Sequence, residues 1–155
     1  QRFDYAAALE HMRKGGYPYD PATGKGGYPE EIDYVTVGGS FEQEAAEVYQ
    51  QQLARIGIRI RVKALAWSAY LAASARRGSA KLGTDGWAMD FPDPSDFFEP
   101  ILSTKAITDE DSQNRAFWSN KEFDGLLDQA RRELVWERRM ELYRRAEAIV
   151  VDEAP

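Results

Sequence analysis

Two short stretches of the chain alternate between apolar and polar residues, and a helical pattern lies between them. Residues 32–37 and residues 58–63 have the two-residue period of half-buried strands, the second with isoleucine and valine facing arginine and lysine. Between them, apolar residues recur at helical spacing over residues 45–56, after a capping pair of Ser40 and Gln43. Such a strand–helix–strand segment of about 30 residues is a β-α-β unit, so we expect two parallel strands joined by a right-handed crossover.

The rest of the pattern predicts a third strand, five more helices and two loops. The third strand is expected at residues 81–87, and the basic residues of the second strand are expected to form the solvated face of an edge strand. The expected helices are residues 6–14, a helix capped by Ser68 and stopped by Gly78, residues 97–102, a helix capped by Asn120 whose apolar face runs from Phe123 to Leu134, and residues 137–152. The expected loops are residues 15–29 and 104–111. These elements indicate an α/β protein.

Length, charge and composition narrow the classes of function. A chain of 155 residues suits one domain with a real core, so we expect residues 1–155 to form a single domain. No apolar run approaches the roughly 18 residues of a membrane span, and the net charge of -6 argues against a nucleic-acid partner. The absence of cysteine and the single histidine, His11, exclude thiol catalysis, disulfides and histidine-rich metal sites. Because the chain begins at Gln1 and stops directly after a helical pattern, we expect a fragment of a longer protein; a trimmed or processed end is the alternative.

The strongest candidate for a ligand site is the stretch 86–99, which reads Gly-Trp-Ala-Met-Asp-Phe-Pro-Asp-Pro-Ser-Asp-Phe-Phe-Glu. It follows the predicted third strand, and loops at strand ends are a common place for ligand contacts in α/β proteins. Asp93 is expected to cap a helix, with Pro94 at its first position and Asp96 in its first turn. Helix capping leaves Asp90 without a structural role, so we expect Asp90 to bind a ligand.

Two of the sites that this stretch could form use its carboxylates alone. A metal site of Asp90, Asp93, Asp96 and Glu99 would have a three-residue spacing, which differs from that of calcium loops, and helix capping accounts for two of the four. A pair of Asp90 with Asp93 or Glu99 could hydrolyse a glycosidic bond. Nothing else in the chain indicates an enzyme, so both sites are the weaker alternatives.

A third possible site is an apolar pocket with one carboxylate. Trp67 and Trp87 both follow predicted strands, so their indoles could wall one crevice. A carboxylate in such a crevice, here Asp90, would select a cationic group. The alternative is that the two tryptophans are core or rim packing.

Four motifs occur in order between about residue 3 and residue 155. They are Gly-Tyr-Pro at residues 16–18; Leu-Ala-Arg-Ile-Gly-Ile at residues 53–58, followed by Trp67 and Tyr70; Gly-Trp-Ala-Met-Asp-Phe-Pro-Asp-Pro at residues 86–94; and Trp-Ser-Asn-Lys-Glu-Phe-Asp at residues 118–124, followed by Arg-Met-Glu-Leu-Tyr at 139–143, Ala-Glu at 146–147 and Glu-Ala-Pro at 153–155. In these motifs the chain resembles the C-terminal lobe of the oligopeptide- and dipeptide-binding proteins of ABC importers, solute-binding family 5. The motif at residues 86–94 is the most specific of the four.

The resemblance implies an α/β fold, one lobe of the type II periplasmic binding-protein fold, with a β-α-β core and C-terminal helices. By resemblance, Asp90 holds the α-ammonium group of a bound peptide, Trp67 and Trp87 flank a side-chain pocket, and Met89 and Phe91 are further ligand contacts. It implies a periplasmic or otherwise extracytoplasmic location, no cofactor or metal, no catalytic residue and no nucleic acid. The partners it implies are a peptide or other small solute, an ABC permease in the membrane and an N-terminal lobe that this chain lacks.

Two departures from the family and two competing functions accompany this interpretation. The loop at residues 17–29 is longer than in many members, and half of the pocket is absent with the N-terminal lobe. We therefore expect this fragment to fold but to bind peptide weakly or not at all. A hydrolase that uses Asp90 and Glu99, and a sensor lobe that signals to a membrane partner, are the alternatives.

Overall fold

A computed structural model describes residues 4–39 and 41–155, and its contacts divide the chain into two units. The first unit holds the described residues up to Ala73 together with Ala80–Thr84, and the second holds Ser74–Ser79 and Asp85–Pro155. The expectation that residues 1–155 form a single domain stays a prediction. The predicted capping residue Ser40 lies outside the described residues.

The first unit carries the strands. In chain order its elements are α1 (Tyr5–Lys14), β1 (Tyr19–Asp20), β2 (Lys25–Gly26), β3 (Glu31–Val37), α2 (Phe41–Ala54), β4 (Arg59–Leu65), α3 (Trp67–Ser74) and β5 (Leu82–Gly83). The strands β3, β4 and β5 form a parallel sheet in the order β4-β3-β5, with Tyr34 opposite Val62 and Val35 opposite Gly83. The predicted β-α-β unit of β3, α2 and β4 is therefore confirmed.

The core of the first unit lies between the sheet and α2. Tyr34, Ala46 and Ile60 are buried there, and the partly buried side chains around them come from β3, α2, β4 and Ile58 just before β4. Two polar contacts fix the sheet on either side of this core. Gln50 of α2 donates to the Ile60 carbonyl at 2.7 Å, and the Tyr34 hydroxyl bonds the Thr84 hydroxyl at 2.6 Å.

The basic face of β4 is the exposed face of an edge strand, as predicted. Arg61 and Lys63 each reach Asp33 of the neighbouring strand at 2.5 Å, and all three side chains are at least one-third exposed. Water and salt screen exposed pairs of this kind, so they organise the surface more than they stabilise the fold.

The loop predicted at residues 15–29 contains a small hairpin, because β1 and β2 pair antiparallel. Behind the hairpin, the backbone packs against the turn between α2 and β4. Tyr28 donates its backbone N–H to the Gly57 carbonyl at 2.8 Å, and both Gly27 and Gly57 have positive φ angles. A Cβ at Gly57 would lie 2.6 Å from the Tyr19 ring and 2.8 Å from the Gly27 Cα, so only glycine fits this contact.

Two predicted elements of this unit, the third strand and the helix after β4, have wrong boundaries. The third strand pairs only at Leu82 and Gly83 instead of over residues 81–87; the Thr84 N–H still donates to the Val35 carbonyl at 3.3 Å, and the bonding to β3 ends there. Ser68 does not cap a helix, because the Ala66 carbonyl already accepts the Tyr70 N–H at 2.8 Å and α3 begins at Trp67. The same helix ends at Ser74 and not at Gly78.

The second unit is helical over its described residues. It contains α4 (Ser95–Leu102), a 3-10 turn at Thr104–Ala106, α5 (Lys121–Arg132) and α6 (Trp136–Glu153). The predicted cap of α5 is confirmed, because the Asn120 Oδ1 accepts the N–H groups of Glu122 and Phe123 at 2.9 and 3.0 Å. No helix in the described ranges is long and apolar enough to cross a membrane.

The core of the second unit lies between α5 and α6. The fully buried side chains are Phe123, Leu126, Leu127, Ala130, Tyr143 and Ala146. Phe98 of α4 packs on this cluster, with its ring 5.8 Å from that of Phe123. The prediction that Leu134 lies on the apolar face of α5 is wrong. The helix ends at Arg132, and Leu134 is 96% exposed in the connection to α6.

Candidate functional site

The candidate site is the irregular segment of residues 85–94, which precedes α4 in the second unit. Met89, Asp90 and Phe91 are all exposed in it, although two of the three are large and apolar. Trp87 is partly buried, and its indole Nε1 is buried without a hydrogen-bond partner among the described residues. The Asp90 carboxylate takes part in no ion pair or hydrogen bond within the described part of the chain. This segment therefore presents one free anion between two exposed apolar side chains.

The backbone of Asp90 is fixed by a second aspartate. Its N–H donates to the Asp96 Oδ2 at 2.8 Å, and Asp96 is only 3% exposed in the first turn of α4. The chain turns between these two aspartates, since the Asp93 N–H donates to the Phe91 carbonyl at 2.8 Å. The Asp90 main chain is thus held while its side chain points to solvent.

Asp93 does more than start the helix. Its Oδ1 accepts the N–H and the hydroxyl of Ser95 at 3.0 and 2.6 Å. The predicted positions are wrong by one residue, because Pro94 and not Asp93 is the N-cap and α4 begins at Ser95. Its Oδ2 pairs with Arg139 of α6, and the Tyr143 hydroxyl lies 3.4 Å from its Oδ1. Burial raises the pKa of Asp93, but the hydrogen bonds from Ser95 and then Arg139 outweigh it and leave the pKa below its ordinary value.

The remaining carboxylate of the stretch is already paired. Glu99 reaches Arg131 of α5 at 2.9 Å, which draws it to the outer side of α4. Among the described residues, no group of three or more histidine, aspartate or glutamate side chains could hold a metal ion. The carboxylates of Asp93, Asp96 and Glu99 therefore have separate partners and form no common metal site with Asp90.

Trp67 lies in the first unit. It is exposed at the first position of α3, and its ring stacks on that of Tyr70 with centroids 5.7 Å apart. The other predicted ligand contacts, Trp87, Met89, Asp90 and Phe91, follow one another along one segment of the second unit.

Two residues at this segment were not predicted for their role. Asp96 was expected only in the first turn of a helix. The available signal was its short distance in sequence from Asp90, six residues with two prolines between them, which is compatible with a closed turn. Arg139 gave no signal, because 46 residues separate it from Asp93 and it lies among other charged residues of the last helix, such as Glu137, Arg138 and Glu141.

Comparison with known proteins places the chain in a family. A family model described as the bacterial extracellular solute-binding proteins, family 5, middle part, matches residues 1–109. Heme-binding protein A of Haemophilus influenzae is 32% identical over 151 residues, which cover 90% of this chain and 27% of that protein. Di/tripeptide-binding protein 4 of Pseudomonas aeruginosa is 35% identical over 111 residues, which cover 72% of this chain and 20% of that protein.

A solved structure shows the same fold. The ABC transporter-associated periplasmic binding protein DppA from Helicobacter pylori, in complex with the peptide STSA, matches with a TM-score of 0.83 and 28% identity, over 96% of this chain and 27% of that one. The predicted fold, an α/β lobe of the type II periplasmic binding-protein kind, is confirmed. The chain spans about a quarter of the length of the curated relatives that it matches. It belongs to the bacterial extracellular solute-binding proteins of family 5.

Proposed function

We propose that this chain is the C-terminal ligand-binding lobe of a two-lobed extracytoplasmic protein that binds peptides and delivers them to an ABC permease in the membrane. The family supports solute binding, and the names of the Pseudomonas aeruginosa and Helicobacter pylori relatives support peptides as the solute. On this proposal the lobe carries out no reaction on its ligand, and it works outside the cytoplasm.

The observation that carries the proposal is the free carboxylate of Asp90 on a fixed backbone. The α-ammonium group of a peptide is largely charged at neutral pH, because its pKa lies near 8. A hydrogen bond between such a group and a carboxylate contributes roughly 1.5–3 kcal/mol once the pair is removed from water. We propose that Asp90 makes this bond to the first residue of the peptide.

The apolar residues around Asp90 are proposed to contact peptide side chains. Met89 and Phe91 are exposed on either side of the carboxylate, and Trp87 lies three residues before it. Trp67 stays a predicted contact from the first unit. Flat aromatic and flexible thioether side chains accept many shapes without hydrogen bonds of their own, which suits a protein that binds peptides of varied sequence.

The alternatives receive less support. A hydrolase that pairs Asp90 with Glu99 would need the Glu99 carboxylate, which is bound to Arg131 at 2.9 Å. A sensor lobe would use the same contacts as a transport lobe, and only the membrane partner would differ. We therefore keep binding and delivery as the proposed function.

The test is the substitution Asp90→Asn in the complete two-lobed protein, followed by calorimetry with a panel of di- to pentapeptides and their N-acetylated forms. We expect affinity for free-amine peptides to fall by about 10- to 100-fold, the equivalent of roughly 1.5–3 kcal/mol. Affinity for N-acetylated peptides, already weak, should change little. The matched control is Asp109→Asn, because Asp109 is an exposed carboxylate paired with Arg77 away from this segment.

Two results would overturn the proposal. One is a wild-type protein that binds no peptide of the panel but binds hemin, which is titrated in parallel because one relative is a heme-binding protein. The other is an Asp90→Asn variant that binds free-amine peptides as tightly as the control.

The 155-residue chain alone should bind the panel weakly or not at all, since ligands of two-lobed proteins are held by both lobes. Micromolar binding by the chain alone would contradict the two-lobed proposal.

A further inference from the structure

Asp96 is a buried carboxylate whose hydrogen bond leads to the candidate ligand residue. It is 3% exposed, and its Oδ2 accepts the Asp90 N–H at 2.8 Å. Burying an ionised carboxylate costs several kcal/mol unless charges or hydrogen bonds replace water. A position in the first turn of α4 offsets part of that cost, because the helix dipole favours an anion there.

Helix capping alone does not account for the direction of this bond. An acidic residue in the first turn of a helix commonly faces the free N–H groups of its own helix. Asp96 instead reaches back six residues, across the two prolines of the segment, to the residue that carries the free carboxylate. The bond closes the segment into a loop whose ends are Asp90 and the first turn of α4.

A second set of bonds holds the middle of the same loop. The Asp93 N–H donates to the Phe91 carbonyl, and the Asp93 carboxylate is tied to Ser95 and to Arg139 of α6. The bonds of Asp93 therefore hold the middle of the loop independently of Asp96. Asp96 adds the one contact that fixes the Asp90 backbone itself. Removing Asp96 should free the Asp90 backbone while α4 and its link to α6 remain.

We infer that Asp96 is a positioning residue, which sets the orientation of Asp90 toward the α-ammonium group of the ligand. The inference rests on the proposed function, because it assigns a role to Asp96 only if Asp90 binds the amine. A charged hydrogen bond depends steeply on distance and angle, so a carboxylate on a loosened backbone binds the amine less tightly.

The experiment compares Asp96→Ala, Asp96→Asn and Asp90→Asn in the two-lobed protein. The quantity measured is the amine discrimination, defined as the affinity for a peptide of the panel divided by the affinity for its N-acetylated form. Asp96→Ala should reduce the discrimination by about tenfold, the low end of the effect seen when an outer partner of a binding residue is lost. Asp96→Asn keeps a carbonyl acceptor for the Asp90 N–H, so it should retain most of the discrimination.

The matched control is Asp124→Ala. Asp124 also lies in the first turn of a helix of this unit and accepts a distant backbone N–H, that of Thr104 at 3.0 Å. Its loss should lower the free energy of unfolding by a similar amount without changing the amine discrimination. Hydrogen exchange of the peptide spanning residues 87–91 gives a second readout. Asp96→Ala should speed it, whereas Asp96→Asn and Asp124→Ala should leave it near the wild-type rate.

The outcomes separate the inference from the proposed function. If Asp90→Asn abolishes the amine discrimination but Asp96→Ala leaves both discrimination and exchange at the level of the control, the positioning role is overturned and the proposed function stands. If Asp90→Asn has no effect on discrimination, the proposed function fails and the inference fails with it. If Asp96→Ala does not fold, the Asp96→Asn variant decides. The positioning role is also overturned if Asp96→Asn loses the amine discrimination while the hydrogen exchange of residues 87–91 stays unchanged.

Discussion

The ion pair between Asp93 and Arg139 is expected to hold the segment of Asp90 to the last helix, and Arg139→Met removes it. The Asp93 side chain is 13% exposed and that of Arg139 is 29% exposed, so the pair lies between the surface and the interior. Surface pairs contribute roughly 0–1 kcal/mol, and breaking a buried pair costs about 3–5 kcal/mol. Asp93 keeps its bonds to Ser95 after the substitution, and the Arg139 Nε is already buried without a partner in the described chain. Both facts lower the expected loss to about 2 kcal/mol.

Chemical and thermal unfolding measure this loss. For a chain of this size, about 2 kcal/mol corresponds to a decrease in Tm of roughly 4–8 °C. The control is Arg144→Met on the same helix, because Arg144 pairs with Glu141 through two well-exposed side chains and should cost less than about 0.5 kcal/mol. The double variant with Asp93→Asn then gives the coupling energy between the two residues.

The effect should depend on pH with a defined sign. The pKa of Asp93 is lower in the folded protein than in the unfolded chain, because the hydrogen bonds from Ser95 and Arg139 outweigh the burial that raises it. The ionised carboxylate therefore stabilises the fold above about pH 3.9, the unfolded value, and this contribution is lost as pH falls through the folded pKa. The difference between wild type and Arg139→Met should be constant from about pH 5 to 7 and shrink below about pH 4. A loss equal to that of Arg144→Met, or a difference that persists in strong acid, would refute the reasoning.

Two further predictions concern closely packed positions, one in each unit. Gly57→Ala should destabilise the first unit by more than about 2 kcal/mol, since the new Cβ meets Tyr19 and Gly27 at a positive φ; unfolding within about 0.5 kcal/mol of wild type would contradict it. Phe123→Ala should cost about 3–5 kcal/mol because the ring is fully buried, whereas Leu134→Ala, at a site 96% exposed, should cost almost nothing in the same denaturation assay.

The regular elements could be predicted from sequence because short-range patterns determine them. The alternation in residues 58–63 and the helical spacing before it were enough to predict two parallel strands, which pair in register. The prediction was wrong at residues 81–87, where only Leu82 and Gly83 pair with β3 although β3 continues to Val37. Gly83, Asp85 and Gly86 are poor strand formers, so the short pairing agrees with the local composition.

The boundaries of helices were less predictable for a related reason. Asn120 caps α5 with the expected hydrogen bonds, because a cap acts over three residues. Leu134 continued the apolar spacing of that helix by chance, and the chain leaves the helix at Glu133, whose carboxylate accepts the Val135 N–H at 2.8 Å. A local side-chain bond of this kind competes with helical hydrogen bonding, and periodicity does not record it.

The three aspartates of the candidate site show how far sequence reasoning reaches into function. The Asp-Pro-Ser-Asp pattern at residues 93–96 predicted a helix start that used Asp93 and Asp96 and left Asp90 for the ligand. The structure gives Asp93 its bonds to Ser95, but it turns Asp96 back to the Asp90 N–H and ties Asp93 to Arg139. Three carboxylates so close together would repel one another if they shared one environment. Asp93 and Asp96 instead face different donors, and the Asp90 carboxylate has none among the described residues. On the proposed function, the two bound aspartates therefore set where Asp90 meets the ammonium group.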